Sequence, residues 1–303
     1  MIELSQFDPT AGTFHANASG DTLNTAVYIQ RLANGTEIDV SFVTVLGTDA
    51  YSDWILGRIE TWGVDTALIA RDEDRIPGIY AIETDTDGER RFRYWRSESA
   101  ARRMAEHGLL AADLLSRFDL LYLSGVTLAI LNERSREKLL DACRAVREAG
   151  GKVAFDSNFR PSLWDSPDSA RSAYAAQLAF CDYAFLSLED ECGLWHTTSE
   201  ADVIERVSRF CEGEIVLKAG GVHLMLAAKG DTAEVPLSPA SKIVDTTAAG
   251  DSFNAGYLVA RLTGQSPRDA ALAGHQVALQ VIGKSGAIVD LDCATALPGW
   301  TPA

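Results

Sequence analysis

Apolar and polar positions along the chain follow two rhythms. Short, nearly continuous apolar runs occur at 41–46, 120–124, 152–156, 183–187, 215–218 and 224–228, and each reads as a strand covered on both faces. Between them, apolar residues recur three and four apart at 22–33, 52–62, 135–149, 169–181 and 201–211, the spacing of amphipathic helices. Strands that alternate with helices need crossover connections, and so pair in parallel. The pattern therefore predicts a three-layer α/β fold, a mostly parallel central sheet flanked by helices. Ligands of such sheets bind at the carboxyl ends of the strands, so the residues just past each run are the candidates for chemistry.

Residues 79–84 (IYAIET) and 91–96 (RFRYWR) break this rhythm. Their alternation about the turn 85–88 predicts an antiparallel hairpin, a small β lid at about 75–98 inserted into a single domain spanning 1–303. Within it Tyr94 and Arg96 share a face, and Arg93 points to the other. Beyond 245 the pattern is mostly helical, at 251–262 and 267–282.

Composition narrows the partners. The 303 residues are 47% apolar and 23% charged, as expected of a globular protein, with 27 Lys+Arg against 43 Asp+Glu and a net charge of −16. So acidic a chain lacks the basic stripe that binds nucleic acid. No stretch reaches the ~18 apolar residues of a membrane helix, and the first residues carry no export signal, so neither membrane nor secretion is expected. Five cysteines, at 143, 181, 192, 211 and 293, lack disulfide-framework and zinc spacing and fit a reducing cytoplasm. The histidines at 15, 107, 196, 223 and 275 show no ligand spacing and read as surface or packing residues.

The segment Asp245-Thr246-Thr247-Ala248-Ala249-Gly250-Asp251-Ser252-Phe253 directly precedes a predicted helix. Small residues at Ala248, Ala249 and Gly250 let backbone N–H groups face an anion at the helix start, where the peptide dipoles favour negative charge. Asp251 can then accept a proton from a hydroxyl held beside a bound phosphate. A plain N-cap uses the same residue types. Past the strand at 152–156, Asn158 and Arg160 stand where a phosphoryl group or an acid could be held, a surface ion pair being the alternative for Arg160. Glu189, past the strand at 183–187, could act through water on Mg²⁺ or simply start a helix. The hairpin gathers Arg90, Arg91, Arg93 and Arg96 with Tyr80 and Tyr94. Arg96 could grip a carboxylate, while Arg90 and Arg91 suit a charged edge strand. Gly283-Lys284-Ser285 mimics the end of a phosphate loop but follows a helix, not a strand.

The 245–253 segment resembles the signature D-T-x-G-A-G-D-x-F of the ribokinase-type (PfkB) carbohydrate kinases, with Ala248 in place of the first glycine of G-A-G-D. The early element appears as Ser19-Gly20-Asp21-Thr22-Leu23-Asn24, where Ser19 replaces a glycine. Together with Pro77-Gly78-Ile79-Tyr80, the 92–96 run (FRYWR) and Asn158-Phe159-Arg160-Pro161, these are most similar to the 2-keto-3-deoxygluconate kinase branch, from Met1 to about Ile288. The resemblance implies an ATP- and Mg²⁺-dependent kinase with Asp251 as base and Ala248, Ala249 and Gly250 as the anion hole, the anion site surviving if Ala248 keeps a negative φ. It further implies substrate contacts at Gly20, Asn24, Tyr80, Tyr94, Arg96, Arg160 and Asp251, and ATP contacts at Asn158, Arg160, Lys218 and Gly220. The family's lids often pair between subunits, which implies a homodimer or larger oligomer. Its chains begin with a buried strand ending in Gly-Glu or Gly-Asp, and this sequence starts past it, so that strand is expected to be missing. A kinase of fructose, ribose or adenosine, or a sensor without turnover, are the other readings. The arginines argue against a neutral ligand, because a buried cation needs an anion.

Overall fold

A computed structural model describes residues 1–84, 90–197 and 199–293. The predicted turn at 85–88 and the side chain of Arg90 lie outside the described residues. The chain divides into two compact units, Met1–Leu109 and Leu110–Ala303.

The first unit runs β1 (Ile2–Asp8), β2 (Thr13–Ala18), α1 (Asp21–Leu32), β3 (Thr44–Gly47), α2 (Ala50–Thr61), β4 (Ile69–Asp72), β5 (Ile79–Thr84) and β6 (Arg90–Trp95). Helix α1 buries Leu23, Val27, Tyr28, Ile29 and Leu32, the stripe its spacing predicts. Helix α2 starts at Asp49, whose carboxylate accepts from the Tyr51 and Ser52 amides. The hairpin forms as expected, but it is half of a four-stranded sheet of order β2-β1-β5-β6. Strand β1 pairs parallel with β5 and antiparallel with β2. Residues 2–18 carry too short a pattern to predict an element, because only Ile2 and Leu4 alternate with Glu3 and Ser5 before the strand runs out into solvent. The run at 41–46 begins later than expected, at Thr44, and pairs with β4, while Ser41 makes only an isolated bridge to Asp65.

The second unit runs α3 (Ala112–Leu115), β7 (Leu120–Ser124), α4 (Gly125–Ile130), α5 (Glu133–Glu148), β8 (Lys152–Asp156), α6 (Pro167–Leu178), β9 (Tyr183–Ser187), α7 (Leu188–Trp195), α8 (Glu200–Ser208), β10 (Glu214–Ala219), β11 (His223–Ala228), β12 (Asp231–Pro236), α9 (Ala249–Leu262) and α10 (Pro267–Ile282). Its six-stranded mixed sheet has the order β12-β11-β10-β9-β8-β7, flanked by helices. Strands β7 to β10 are parallel, and β11 and β12 turn back antiparallel. The core is the apolar interior of these strands: Val153, Ala154, Phe155, Phe185, Val216 and Leu217 are fully buried. Strand β12 has no predicted counterpart, since an exposed edge strand is held by backbone pairing and carries little apolar signal. Cys143, Cys181 and Cys211 are buried among these elements. Burial pushes the thiols of Cys143 and Cys211 up to about 11 and raises that of Cys181 well above its ordinary value, so they act as small apolar groups. Gly283-Lys284-Ser285 sits at the end of α10, as expected of a mimic. No helix among the described residues is long and apolar enough to cross a membrane.

Candidate active site

The expected site residues fall into two groups, one within each unit. In the first unit, Glu3, Tyr80 and Tyr94 are direct cross-strand partners on β1, β5 and β6. The Tyr80 and Tyr94 rings lie 5.9 Å apart, and the Arg96 guanidinium stacks 4.0 Å over the Tyr94 ring. Tyr94 and Arg96 thus meet on one face, whereas Arg93, on the other, faces Glu83 at 3.4 Å. The Tyr80 hydroxyl donates to Glu3 and lies 3.0 Å from Ser19 Oγ. Burial first, then the Glu3 charge, pushes the Tyr80 phenol far above its ordinary range, so it stays protonated. Ser19 Oγ is also 3.3 Å from Asn24 Oδ1, which accepts from the Gly20 amide at 3.4 Å. Gly20 and Asn24, at the start of α1, therefore join Tyr80 through Ser19.

In the second unit the carboxyl ends of β8, β9 and β10 carry the polar groups. Lys218, near the end of β10, places Nζ 3.2 Å from Asn254 Oδ1 and 3.5 Å from Asp156 Oδ1. Asn254 Nδ2 donates to the Tyr122 hydroxyl at 3.0 Å. A Cβ built on Gly250 would lie 3.5 Å from Lys218 Nζ, so this ammonium stands against the first turn of α9. Gly220 and Gly221 follow with φ of 68° and 78°, the backbone a tight turn between β10 and β11 requires.

Past β8 the chain turns sharply. Asn158 has φ of 30°, a left-handed conformation that asparagine tolerates better than most residues. The residues on either side hold it there. Asp190 Oδ2 accepts from Ser157 Oγ at 2.9 Å and from the Phe159 amide at 3.1 Å. Tyr174 donates to the Ser157 carbonyl at 2.6 Å, and a Cβ on Gly125 would collide with both of those oxygens. Arg160 is exposed and donates to the Phe159 carbonyl at 3.2 Å, not to a carboxylate. Glu189 is exposed in the first turn of α7, and its neighbour Asp190 does the local holding.

The start of α9 departs from expectation in one respect. The negative φ on which the anion site was made conditional is not found at Ala248, which has φ of 60° and ψ of 18°. The turn is set from a distance: Asp245 accepts from the Thr247 amide through Oδ1 and from the Gly286 amide through Oδ2, each at 2.9 Å. A left-handed residue ahead of helical ones points successive amides into one concavity. The Ala249 amide donates to the Thr246 carbonyl at 3.2 Å, whereas Gly250 and Asp251 belong to the helical turn whose amides lie outside the i to i−4 ladder. Asp251 thus stands at the positive end of a 14-residue helix.

Sequence reasoning missed Glu3, Asp156, Asn254, Tyr122 and Asp190. The alternation of Ile2, Glu3 and Leu4 was a usable signal for the first; the others come from separate elements with no common spacing. His275 Nε2 donates to the Ser238 carbonyl at 2.7 Å, a packing role, while His107 and His223 pair with Asp72 and Glu200. Among the described residues no three His, Cys, Asp or Glu side chains form a group able to hold a metal ion.

Comparison with known proteins completes the picture. Residues 1–293 match the family described as pfkB family carbohydrate kinase. The 2-dehydro-3-deoxygluconokinase of Dickeya dadantii is 46% identical over 301 residues, 98% of this chain and 96% of that one. Among solved structures, a 2-dehydro-3-deoxygluconokinase of Thermotoga maritima superposes with a TM-score of 0.80 at 24% identity, covering 98% of this chain and 95% of that one. A fructokinase of Xylella fastidiosa with bound ATP gives 0.80 at 22% identity, covering 95% and 91%.

Proposed function

Because the chain belongs to the pfkB family of carbohydrate kinases, we propose that it transfers the γ-phosphoryl group of ATP to 2-keto-3-deoxy-D-gluconate, giving 2-keto-3-deoxy-6-phosphogluconate. The observation that carries the chemical part of this reading is the Lys218 ammonium standing against Gly250, one residue before Asp251.

On this reading Asp251 takes the proton of the acceptor's primary hydroxyl as its oxygen attacks phosphorus. The transition state of phosphoryl transfer is loose and spreads charge over the equatorial oxygens, so fixed donors and cations supply most of the acceleration. The first-turn amides of Gly250 and Asp251, more than that of Ala249, serve that purpose, with Ala248 shaping the concavity and Lys218 adding a full positive charge. Asn158 and Arg160, on the loop held by Asp190, serve the nucleotide and the transferring group, with Gly220 bordering the nucleotide. Arg96 binds the acid's carboxylate while Tyr80 and Tyr94 cover its carbons, beside Gly20 and Asn24. Mg²⁺ accompanying ATP supplies neutralisation of the phosphates. The sparse acidic set fits an ion that keeps its waters and takes phosphate ligands, with Glu189 available to one such water.

We also infer that the segment at about 75–98 serves as the lid of a single kinase domain. The chain would work as a homodimer or larger oligomer, which the exposed Phe92 and Trp95 and the stacked Phe7 and Phe14 support. Five cysteines without disulfide-framework spacing suit a reducing cytoplasm. The test is ADP release with ATP and Mg²⁺ against 2-keto-3-deoxygluconate, gluconate, fructose, ribose and adenosine. Selective turnover of the keto-deoxy acid is expected; turnover of a neutral sugar instead, or of none, overturns the assignment. Light scattering reads the oligomer, and a monomer at working concentration removes that part of the proposal.

A further inference from the structure

The small sheet carries a polar row whose direction the scheme above does not use. Asn17, Glu3, Tyr80 and Tyr94 are successive cross-strand partners on β2, β1, β5 and β6, so their side chains emerge on one face. Burial falls along the row: Glu3 is 2% exposed, Tyr80 8% and Tyr94 39%. An ionised carboxylate can only accept. Glu3 Oε1 takes the Asn17 amide at 3.2 Å, and Oε2 takes the Tyr80 hydroxyl. A phenol has a single proton, so this donation leaves Tyr80 Oη with lone pairs alone. Ser19 Oγ, 3.0 Å from the same phenol, is a neutral and so weaker acceptor than the carboxylate, and it gives its own proton to Asn24 Oδ1 at 3.3 Å. The face therefore runs from an anion at Glu3 to a cation at Arg96, across two aromatic rings.

We propose that Glu3 is a specificity-determining residue acting through Tyr80. By holding the phenol proton it makes Tyr80 an obligate acceptor, so this end of the row takes a hydroxyl of the sugar acid and turns away its carboxylate, which goes to Arg96. The proposal rests on the sugar-acid reading and adds to it the sense in which the acid lies: hydroxyl end towards Glu3, carboxylate towards Arg96. A Tyr80 able to donate would take the carboxylate as well, and the acid could lie in either sense.

The test uses Glu3→Leu, which has no acceptor, Glu3→Gln, whose amide oxygen can still take the phenol proton, and Tyr80→Phe, each checked for folding by thermal melting. Glu3→Leu is expected to raise KM for the keto-deoxy acid about tenfold, with kcat and the KM for ATP within about twofold. Glu3→Gln recovers most of that loss, and in the Tyr80→Phe background Glu3→Leu adds less than about twofold. Wild-type KM in Glu3→Leu, a loss in kcat instead of KM, or an undiminished effect in the Tyr80→Phe background overturns the proposal. A second arm needs no turnover: the infrared C–O stretch of ring-labelled tyrosine separates a donating phenol from an accepting one. The donor band is expected in the wild type and absent from Tyr80→Phe; its absence from the wild type overturns the assignment even if Glu3→Leu does not fold. If the wild type turns over no keto acid, the functional reading falls and the specificity claim with it, while the infrared band still decides whether Glu3 holds the Tyr80 proton.

Discussion

On the proposed reading, the two units would present charge to a ligand by different means. In the first, side chains do it: Glu3, Tyr80, Tyr94 and Arg96 are aimed by the pleat of the sheet, and each polar atom belongs to one replaceable residue. In the second, the backbone does much of it: the left-handed turns at Ala248 and Asn158 and the start of α9 set where the amides point, and Lys218 is pinned by Asp156 and Asn254. A side-chain row can be retuned one residue at a time, whereas a backbone cradle changes only when the chain path does. Acceptor choice should therefore respond to single substitutions far more readily than phosphoryl handling.

The strongest way to break this contrast is at Asp251, the side chain proposed to take the acceptor's proton. Asp251→Asn should lower kcat about 10³-fold, with both KM values within a few-fold, in steady-state ADP release. Wild-type turnover would remove Asp251 from the mechanism. Arg96→Met should come next, raising KM for the acid about 10²-fold, as expected for lost charge-assisted hydrogen bonds, while the KM for ATP stays put. A matching rise for ATP would mean that the row does not act on the acceptor alone. Asp72→Asn tests stability instead. Asp72 is 2% exposed at the end of β4 and accepts from Arg103 Nη1 and His107 Nε2, at 2.8 and 2.9 Å from Oδ2. Burial pushes its carboxyl up, but the hydrogen bond from His107, the Asp74 amide and the Arg103 charge outweigh it and hold the group below its usual range. The folded value lies below the unfolded one, so the stabilisation is present above about pH 4 and lost as the pH falls through the folded value. Urea denaturation should show a loss of about 2 kcal/mol at pH 7 that shrinks below about pH 4. A penalty equal at both pH values would contradict this. The smallest effect should be a gain: Ala248→Gly removes a Cβ from a left-handed position and should add about 1 kcal/mol of stability.

These contrasts also explain what could be read from the chain. The runs at 120–124, 152–156 and 183–187 coincide with β7, β8 and β9 to the residue, because strands covered on both faces must be apolar throughout. Strands β1, β2 and β12 escaped, since exposed or edge strands keep their backbone pairing without an apolar run. In the site, Tyr94 and Arg96 could be put on one face from alternation alone. The φ of Ala248 could not, because it is imposed by Asp245 reaching Gly286, forty-one positions along the chain. The surroundings of Lys218 were equally hidden: Tyr122, Asp156 and Asn254 come from β7, β8 and α9 and meet only once the sheet has formed.

Gly125 carries a consequence for how such a protein can vary. It belongs to none of the groups given a chemical role, yet any larger residue would strike the Ser157 carbonyl and the Tyr174 hydroxyl and shift the loop that presents Asn158. In a library of random variants, position 125 should therefore tolerate as little as Asp251 itself, while the exposed positions of β12 accept wide change. Tolerance to substitution in this chain would follow the backbone's crowding more faithfully than distance from the reacting atoms.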